Sequence, residues 1–146
     1  MNINQISLQI YSARNFKPYK NIFKFLFEKG MKNVELFEVE AFSEVKDLLE
    51  EYGLSAKSSH IGFDTLENTN EIILSLKKLN VKHAIIPCPT GKPGGKFEAI
   101  FDKNEEEWDE FGKKLSSYVR IFEDNGMTLG YHNHAFEFNK LPSGKM

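Results

Sequence analysis

The chain has 146 residues, of which 40% are hydrophobic and 27% charged, a length and composition typical of one globular domain. Its net charge of −2 provides no basic field that attracts nucleic acid or an acidic membrane, so we expect neither partner. A single cysteine, Cys88, excludes an internal disulfide. With neither a signal-peptide pattern nor an apolar run of about 20 residues, we expect a cytoplasmic protein.

Strand-like and helix-like stretches alternate along the chain. Short apolar or alternating stretches predict five strands, over residues 6–11, 33–37, 54–61 and 81–87 and from residue 127 onward. Longer stretches with apolar residues at helical spacing predict four helices, at about 19–29, 43–52, 65–79 and 104–125. Each helix is followed by a residue that accepts a left-handed conformation, namely Gly30, Gly53, Asn80 or Gly126. A strand followed by four helix–strand pairs predicts an α/β fold with a parallel sheet.

Two architectures satisfy this order of elements: an open doubly wound sheet, or the first part of an eight-stranded barrel. In both, binding sites lie at the carboxyl ends of the strands. Polar residues that follow the predicted strands are Arg14, Glu35, Glu38, His60, Asp64, the loop 88–96, His132, His134 and Glu137. We therefore expect the site at this rim. His83 begins the fourth strand at the opposite rim, which favours a structural role.

The segment YHNHAFEF, residues 131–138, is the strongest candidate for chemistry. Side chains two residues apart on a strand share a face, so His132 and His134 should project together while Asn133 points away. Glu137 follows just beyond the strand. Two imidazoles and a carboxylate at this spacing are typical of divalent-cation binding or of proton transfer on a small substrate. The alternative is that these residues are hydrogen-bonded and simply end a strand.

Other candidates are weaker. Glu35 points either to the centre of the sheet or to solvent, whereas His60, in SSHIGFD, lies at the carboxyl end of a strand. The loop TGKPGGK is not a P-loop, because Thr90 replaces the first glycine and Phe97 replaces the Ser or Thr after the lysine. It is either a lysine-bearing lid for an anionic substrate or a solvated connection. No glycine-rich dinucleotide motif follows the first strand.

Four stretches, LQIYSAR, VELF, SSHIGFD and above all LGYHNHAFEF, resemble the sugar phosphate isomerase/epimerase family of xylose-isomerase-like TIM barrels. The resemblance extends from about Ile6 to Phe138. It implies an eight-stranded barrel, a divalent metal ion (Mn, Mg, Co or Zn), and isomerisation, epimerisation or dehydration of a sugar or sugar phosphate through an enediolate-type step.

The same resemblance implies the roles of the candidate residues. We expect catalysis by His134 and Glu137 and metal ligation by His132, His134 and Glu137. Substrate contacts are expected from Glu35, His60, His132 and Asn133.

The chain is short for this family, since a TIM barrel needs about 250 residues. We therefore interpret residues 1–146 as one truncated domain, a partial (β/α) barrel of about five strands and four helices. The resemblance implies further metal ligands on strands six to eight. The predicted function is a fragment of a metal-dependent sugar (phosphate) isomerase or epimerase, inactive without its C-terminal half. The alternative is a non-catalytic binding or assembly module, and in either case self-association through open sheet edges is expected.

Overall fold

A computed structural model describes residues 3–37, 42–89, 103–141 and 143–144. Within these ranges, five strands alternate with four α-helices, as predicted. The strands are β1 (Ser7–Gln9), β2 (Asn33–Leu36), β3 (Ser55–His60), β4 (His83–Ile86) and β5 (Thr128–Tyr131). The helices are α1 (Tyr19–Glu28), α2 (Phe42–Glu51), α3 (Thr69–Lys78) and α4 (Glu105–Asp124). None of the described helices has the length and apolarity that crossing a membrane requires.

The sheet identifies which of the two architectures is present. All neighbouring strands pair in parallel, and their order in the sheet is their order in the chain, β1-β2-β3-β4-β5. Every crossover therefore moves one place in the same direction, and the right-handed rule for such crossovers puts the four helices on one face of the sheet. A doubly wound sheet instead reverses its order at a switch point. The fold is thus of the barrel type.

The helix ends show how local sequence fixes these elements. Asn104 and Glu107 form a reciprocal capping box at the start of α4, with nitrogen–oxygen distances of 2.8 and 3.0 Å. After α3 the chain turns at Asn80, which has a φ of 57°. After α4 it turns at Gly126, with a φ of 71°. Both turns are in the left-handed region, as the sequence predicted.

The helix predicted at about residues 65–79 begins later than expected. Residues Phe63–Asn68 form a 3₁₀ helix, and α3 begins at Thr69. The hydroxyl of Thr65 donates to the carbonyl oxygen of Gly62 at 2.6 Å, so it closes a tight turn and does not cap a helix. Similarly, β1 is shorter than predicted because the chain enters a second 3₁₀ helix, Ile10–Phe16, directly after Gln9.

The core lies between the sheet and its helices. Phe23 of α1, Val34 of β2, Leu76 of α3, Ile86 of β4 and Phe122 of α4 are completely buried. Burial decreases toward both ends of the sheet, since neither β1 nor β5 contains a buried residue. The central strands beneath the polar rim are therefore well packed, whereas the outer strands β1 and β5 are only partly buried.

Candidate functional site

Strand pairing brings polar side chains of the first three strands together on the helix-free face. Gln9 is in register with Glu35, and Glu35 is in register with Ser58. A register shift between β2 and β3 places Ser58 opposite Glu35, and not Lys57. The Ser58 hydroxyl donates to Oε2 of Glu35 at 2.5 Å. The structure therefore resolves the orientation that the sequence left open: Glu35 points to the inner face of the sheet.

His60, at the end of β3, is held on two sides. Its side chain is buried, with Nε2 3.3 Å from Oε1 of Glu35. The Gln9 amide nitrogen Nε2 lies 3.0 Å from His60 Nδ1. The same amide nitrogen lies 3.3 Å from His60 Nε2, so Gln9 approaches both ring nitrogens. Gln9 and Glu35 thus hold the orientation of the His60 ring.

These hydrogen bonds also fix the charge of Glu35. The bond from His60, assisted by the bond from Ser58, outweighs the effect of partial burial and lowers the pKa of Glu35 below its ordinary value of 4.5. The carboxylate is therefore ionised at neutral pH. The site therefore contains one carboxylate, that of Glu35, and the side chains of His60 and Ser58 hold it in position.

The two histidines after β5 complete the cluster. The His132 backbone N–H donates to the Ile86 carbonyl at 2.9 Å, which extends the pairing of β5 with β4. The His132 ring centroid lies 5.2 Å from that of His60 and 4.7 Å from that of His134. Partial desolvation, together with the neighbouring imidazoles, lowers the pKa of His132. His132 and His134 thus project together, as predicted, and His132 is neutral at pH 7.

These side chains surround one cavity at the carboxyl ends of the strands. Its volume is about 370 Å³, and it is lined by Gln9, Tyr11, Ser12, Glu35, Phe37, His60, Pro87, Cys88, His132 and His134. Four candidate residues meet here. Gln9 was missed, because a glutamine on a strand has no chemical signature in sequence.

Other predicted rim residues lie elsewhere. Arg14 folds back so that Nη1 donates to the Tyr11 carbonyl at 2.8 Å, with its guanidinium over the Tyr11 ring. His83 is exposed at the start of β4, with Nδ1 2.9 Å from the Thr128 hydroxyl, which agrees with its predicted structural role. Glu38 and residues 90–96 of the predicted loop lie outside the described residues.

Glu137 and Asn133 do not line the cavity. Oε1 of Glu137 accepts from the Tyr131 hydroxyl at 2.5 Å, and Oε2 accepts from the His134 backbone N–H at 2.6 Å. Burial and the bond to Glu137 raise the pKa of Tyr131. Asn133 is exposed, and its amide contacts the His134 carbonyl at 3.4 Å. Here Glu137 fixes the turn after β5, and the catalytic, metal and substrate roles predicted for these two residues stay predictions.

The described residues do not by themselves fit a divalent cation. Across the described ranges, no three His, Cys, Asp or Glu side chains converge at a spacing that would hold a metal ion. In the predicted ligand set, His132 and His134 are adjacent and Oε1 of Glu137 lies 3.8 Å from Nδ1 of His134, but both oxygens of Glu137 already accept bonds, from the Tyr131 hydroxyl and the His134 backbone. A metal site would need ligands from outside these residues.

Comparison with known proteins identifies the fold. No protein-family model and no curated protein matches the sequence. Solved structures do match: a xylose isomerase domain containing protein from Salmonella typhimurium has a TM-score of 0.60 at 10% identity, over 90% of this chain and 50% of that one. An AP endonuclease of family 2 from Brucella melitensis has a TM-score of 0.61 at 13% identity, over 86% and 53% of the two chains.

A third match is to a D-psicose 3-epimerase determined in the presence of D-fructose. Its TM-score is 0.56 at 9% identity, over 86% of this chain and 50% of that one. At such identities the likeness is one of fold. It confirms the predicted resemblance to xylose-isomerase-like TIM barrels. The chain spans about half the length of the structures it matches.

Proposed function

We propose that this chain, which has the fold of half a xylose-isomerase-like TIM barrel, is part of a metal-dependent sugar or sugar-phosphate isomerase or epimerase. We propose further that it is inactive until additional strands complete the barrel. The observation that carries the proposal is the convergence of Glu35, His60, His132 and His134 on one cavity at the carboxyl ends of parallel strands. Ligands bind at this end in barrels of this kind.

The cluster suits proton transfer at a carbon next to a carbonyl. Isomerisation and epimerisation both require that a proton leave such a carbon and that one return. Glu35, ionised because its pKa is lowered, is a base held in place by His60 and Ser58. His132, neutral because its pKa is lowered, is a second proton acceptor in the lining of the same cavity, and its ring centroid lies 5.2 Å from that of His60.

The predicted divalent ion belongs to the completed barrel in this proposal. The described residues alone do not assemble a three-ligand site, so the proton-transfer roles above do not involve an ion. Mn, Mg, Co or Zn would be bound by His134 together with ligands from outside the described residues, which leaves His132 free to accept a proton.

A small polyol suits the cavity better than a nucleic acid. The volume of about 370 Å³ is in the range of small-molecule sites, and a net charge of −2 gives no attraction to phosphate backbones. We propose a cytoplasmic protein acting on a sugar or sugar phosphate. The AP endonuclease function named for one structural relative is not proposed for this chain.

The test is complementation. The chain is co-expressed with the C-terminal half of the D-psicose 3-epimerase, and D-fructose in D₂O with Mn²⁺ is followed by NMR. The proposal is supported if D-fructose is converted and deuterium is incorporated next to the carbonyl. This activity should be lost in Glu35→Gln and kept in Asp47→Asn. Asp47 is an exposed carboxylate on α2. A stable complex that incorporates no deuterium from any tested hexose or hexose phosphate would contradict it.

A second candidate, a non-catalytic assembly module, is favoured by the exposed outer strands of the sheet. Neither β1 nor β5 contains a buried residue. A chain that folds stably in complex with a partner, without sugar chemistry, is the outcome expected for this candidate.

A further inference from the structure

Both outer strands of the sheet are open among the described residues. β1 pairs only with β2, and β5 pairs only with β4, so each has one backbone edge without a strand partner in that part of the chain. The inner strands are different: Val34 and Leu36 are buried on β2, as are Ala84 and Ile86 on β4. An open edge beside exposed apolar side chains is a surface that favours association.

The first surface, which we call the basic edge, consists of β1, residues 10–16 and the outer flank of α1. Phe16 is 71% exposed there and Phe25 is 56% exposed. These rings border an apolar groove of about 780 Å³, which is also lined by Leu8, Ala13 and Ile22. Lys17 lines the same groove, and Nζ of Lys29 lies 5.5 Å from the centre of the Phe25 ring, so these two lysines give the basic edge a charge of +2.

The second surface, which we call the acidic edge, consists of β5 and the flank of α4 that faces away from α3. The inner flank is identified by the ring contact of Phe111 with Phe63 at 4.8 Å and by the ion pair of Lys114 with Glu67 at 3.7 Å. Helical spacing places the following residues on the opposite flank: Glu105, Trp108, Asp109, Gly112, Ser116, Val119 and Glu123.

The composition of this outer flank is suited to a neighbouring helix. Three of its residues are acidic. The whole of α4 contains seven acidic and three basic residues, so the net charge of the helix is −4. Gly112 and Ser116 are small and leave room for close approach, and nothing lies within 4 Å of a Cβ built on Gly112. Only Phe122 is buried along the 20 residues of α4. The helix therefore buries only its core-facing side, and on the outer flank the Trp108 ring stacks on Phe136 with the centroids 6.3 Å apart.

We propose that two copies of this chain associate head to tail, the basic edge of each docking on the acidic edge of the other. β5 of one copy would then continue the parallel sheet into β1 of the second, and α4 would lie beside the second copy's α1. A two-fold axis along the strands repeats the contact twice, so no outer strand remains open. The cavity that contains Glu35 and His60 would gain a second wall.

A second copy is the occupant that the observations favour. A second copy has a basic edge to face the acidic edge of the first and an acidic edge to face its basic edge. Its strands can also run parallel to those of the first copy. Within one copy, Lys17 and Lys29 lie at the two ends of α1, as Asp109 and Glu123 lie toward the two ends of α4. Parallel alignment of the two helices brings opposite charges together at each end. The second copy would occupy the edges at which the proposed function places additional strands, so the two would compete; association is therefore measured on the chain alone and without a substrate.

The test is charge reversal with rescue, followed by sedimentation velocity on the 146-residue chain at several concentrations. One variant carries Lys17→Glu and Lys29→Glu, and the other carries Asp109→Lys and Glu123→Lys. Each should weaken the dimer about 100-fold, because like charges would then face each other at both contacts. Mixed in equal amounts they should form a heterodimer, since one contact regains opposite charges and the other remains wild type.

Two matched controls change charge on the other flanks of the same helices. Lys20→Glu with Lys24→Glu, and Glu106→Lys with Glu110→Lys, should dimerise like the wild type, and added salt should weaken every dimer. Restoration in the mixture also shows that the reversed variants are folded. The proposal is overturned if the wild type stays monomeric, if the reversed variants dimerise normally, if mixing restores nothing, or if association proceeds to chains longer than two copies.

Discussion

Nε2 of Gln9 lies 3.0 Å from Nδ1 of His60, although the two residues are 51 positions apart and β2 lies between their strands. Strands two places apart are roughly 9.5 Å apart in a flat sheet. Side chains that meet over such a span do so most easily on the concave face of a curved sheet, as in a barrel. Gln9, Glu35 and His60 therefore act as one hydrogen-bonded unit, and substitutions in it should have coupled effects.

Glu35→Gln should reduce the acid sensitivity of the fold. The pKa of Glu35 is lowered in the folded state, mainly by the bond from His60, so its contribution is present above about pH 4.5 and is lost as pH falls through the folded pKa. The variant should be about 1–2 kcal/mol less stable at pH 7. The difference should shrink as the pH falls below the ordinary pKa of 4.5 and through the lower folded pKa, measured by urea unfolding at each pH. Asp47→Asn, at an exposed position, is the control, and a difference independent of pH would contradict the prediction.

Tyr131→Phe should destabilise the turn after β5. It removes the hydroxyl that donates to Glu137 at 2.5 Å but keeps the ring, which packs 5.4 Å from Phe111. We expect a loss of about 1–2 kcal/mol in the free energy of unfolding, since a bond to a carboxylate is lost. Tyr118→Phe, at another partly buried tyrosine, should change it by less than about 0.5 kcal/mol. Equal losses in both variants would argue against a specific role for the Tyr131–Glu137 bond.

Alanine should have opposite effects at two glycines of the same helix–strand unit. Gly126 has a φ of 71°, where a Cβ is strained, so Gly126→Ala should destabilise the fold by about 1 kcal/mol. Gly112 lies within α4 with open space around it, and alanine there should stabilise by up to about 1 kcal/mol. Thermal unfolding at low protein concentration measures both. Changes of the same sign would show that backbone conformation does not determine the effect.

The chain alone should not take up Mn²⁺ or Zn²⁺ stoichiometrically. His132 and His134 are adjacent, but Glu137 is bonded to Tyr131 and to the His134 backbone, so a third ligand is lacking among the described residues. Isothermal titration calorimetry measures uptake, with His132→Ala combined with His134→Ala as the reference. Tight binding by the wild type that this double variant abolishes would show that Glu137 or another ligand rearranges.

The order of elements was predictable because it depends on local chemistry. Apolar spacing located α1 and α4, and residues that tolerate positive φ located their ends, including Asn80 after α3. The predicted start of the third helix, at about residue 65, was wrong because Phe63–Asn68 form a 3₁₀ helix in which the Thr65 hydroxyl donates to the Gly62 carbonyl. Apolar spacing does not distinguish such a turn from the first turn of an α-helix.

The site was only partly predictable because it depends on strand register. His132 and His134 were found from their alternation on one strand, and the cavity contains both. Gln9 was missed, and the orientation of Glu35 stayed open, because the shift that aligns Glu35 with Ser58 has no sequence signal. The bond from the Tyr131 hydroxyl to Glu137 depends on the path of the chain after β5, and residue spacing does not predict that path either.

The uneven burial of the strands means that the two halves of the cavity wall differ in local stability. His60 is anchored beside the tightly packed β2 and β4, whereas His132 follows β5, which has no buried residue. Amide hydrogens of β5 should therefore exchange with solvent through small fluctuations, while those of β3 should wait for complete unfolding. A ligand that touches both histidines would have to hold β5 in place. Its apparent affinity would be its intrinsic affinity multiplied by the fraction of molecules in which β5 is already in place.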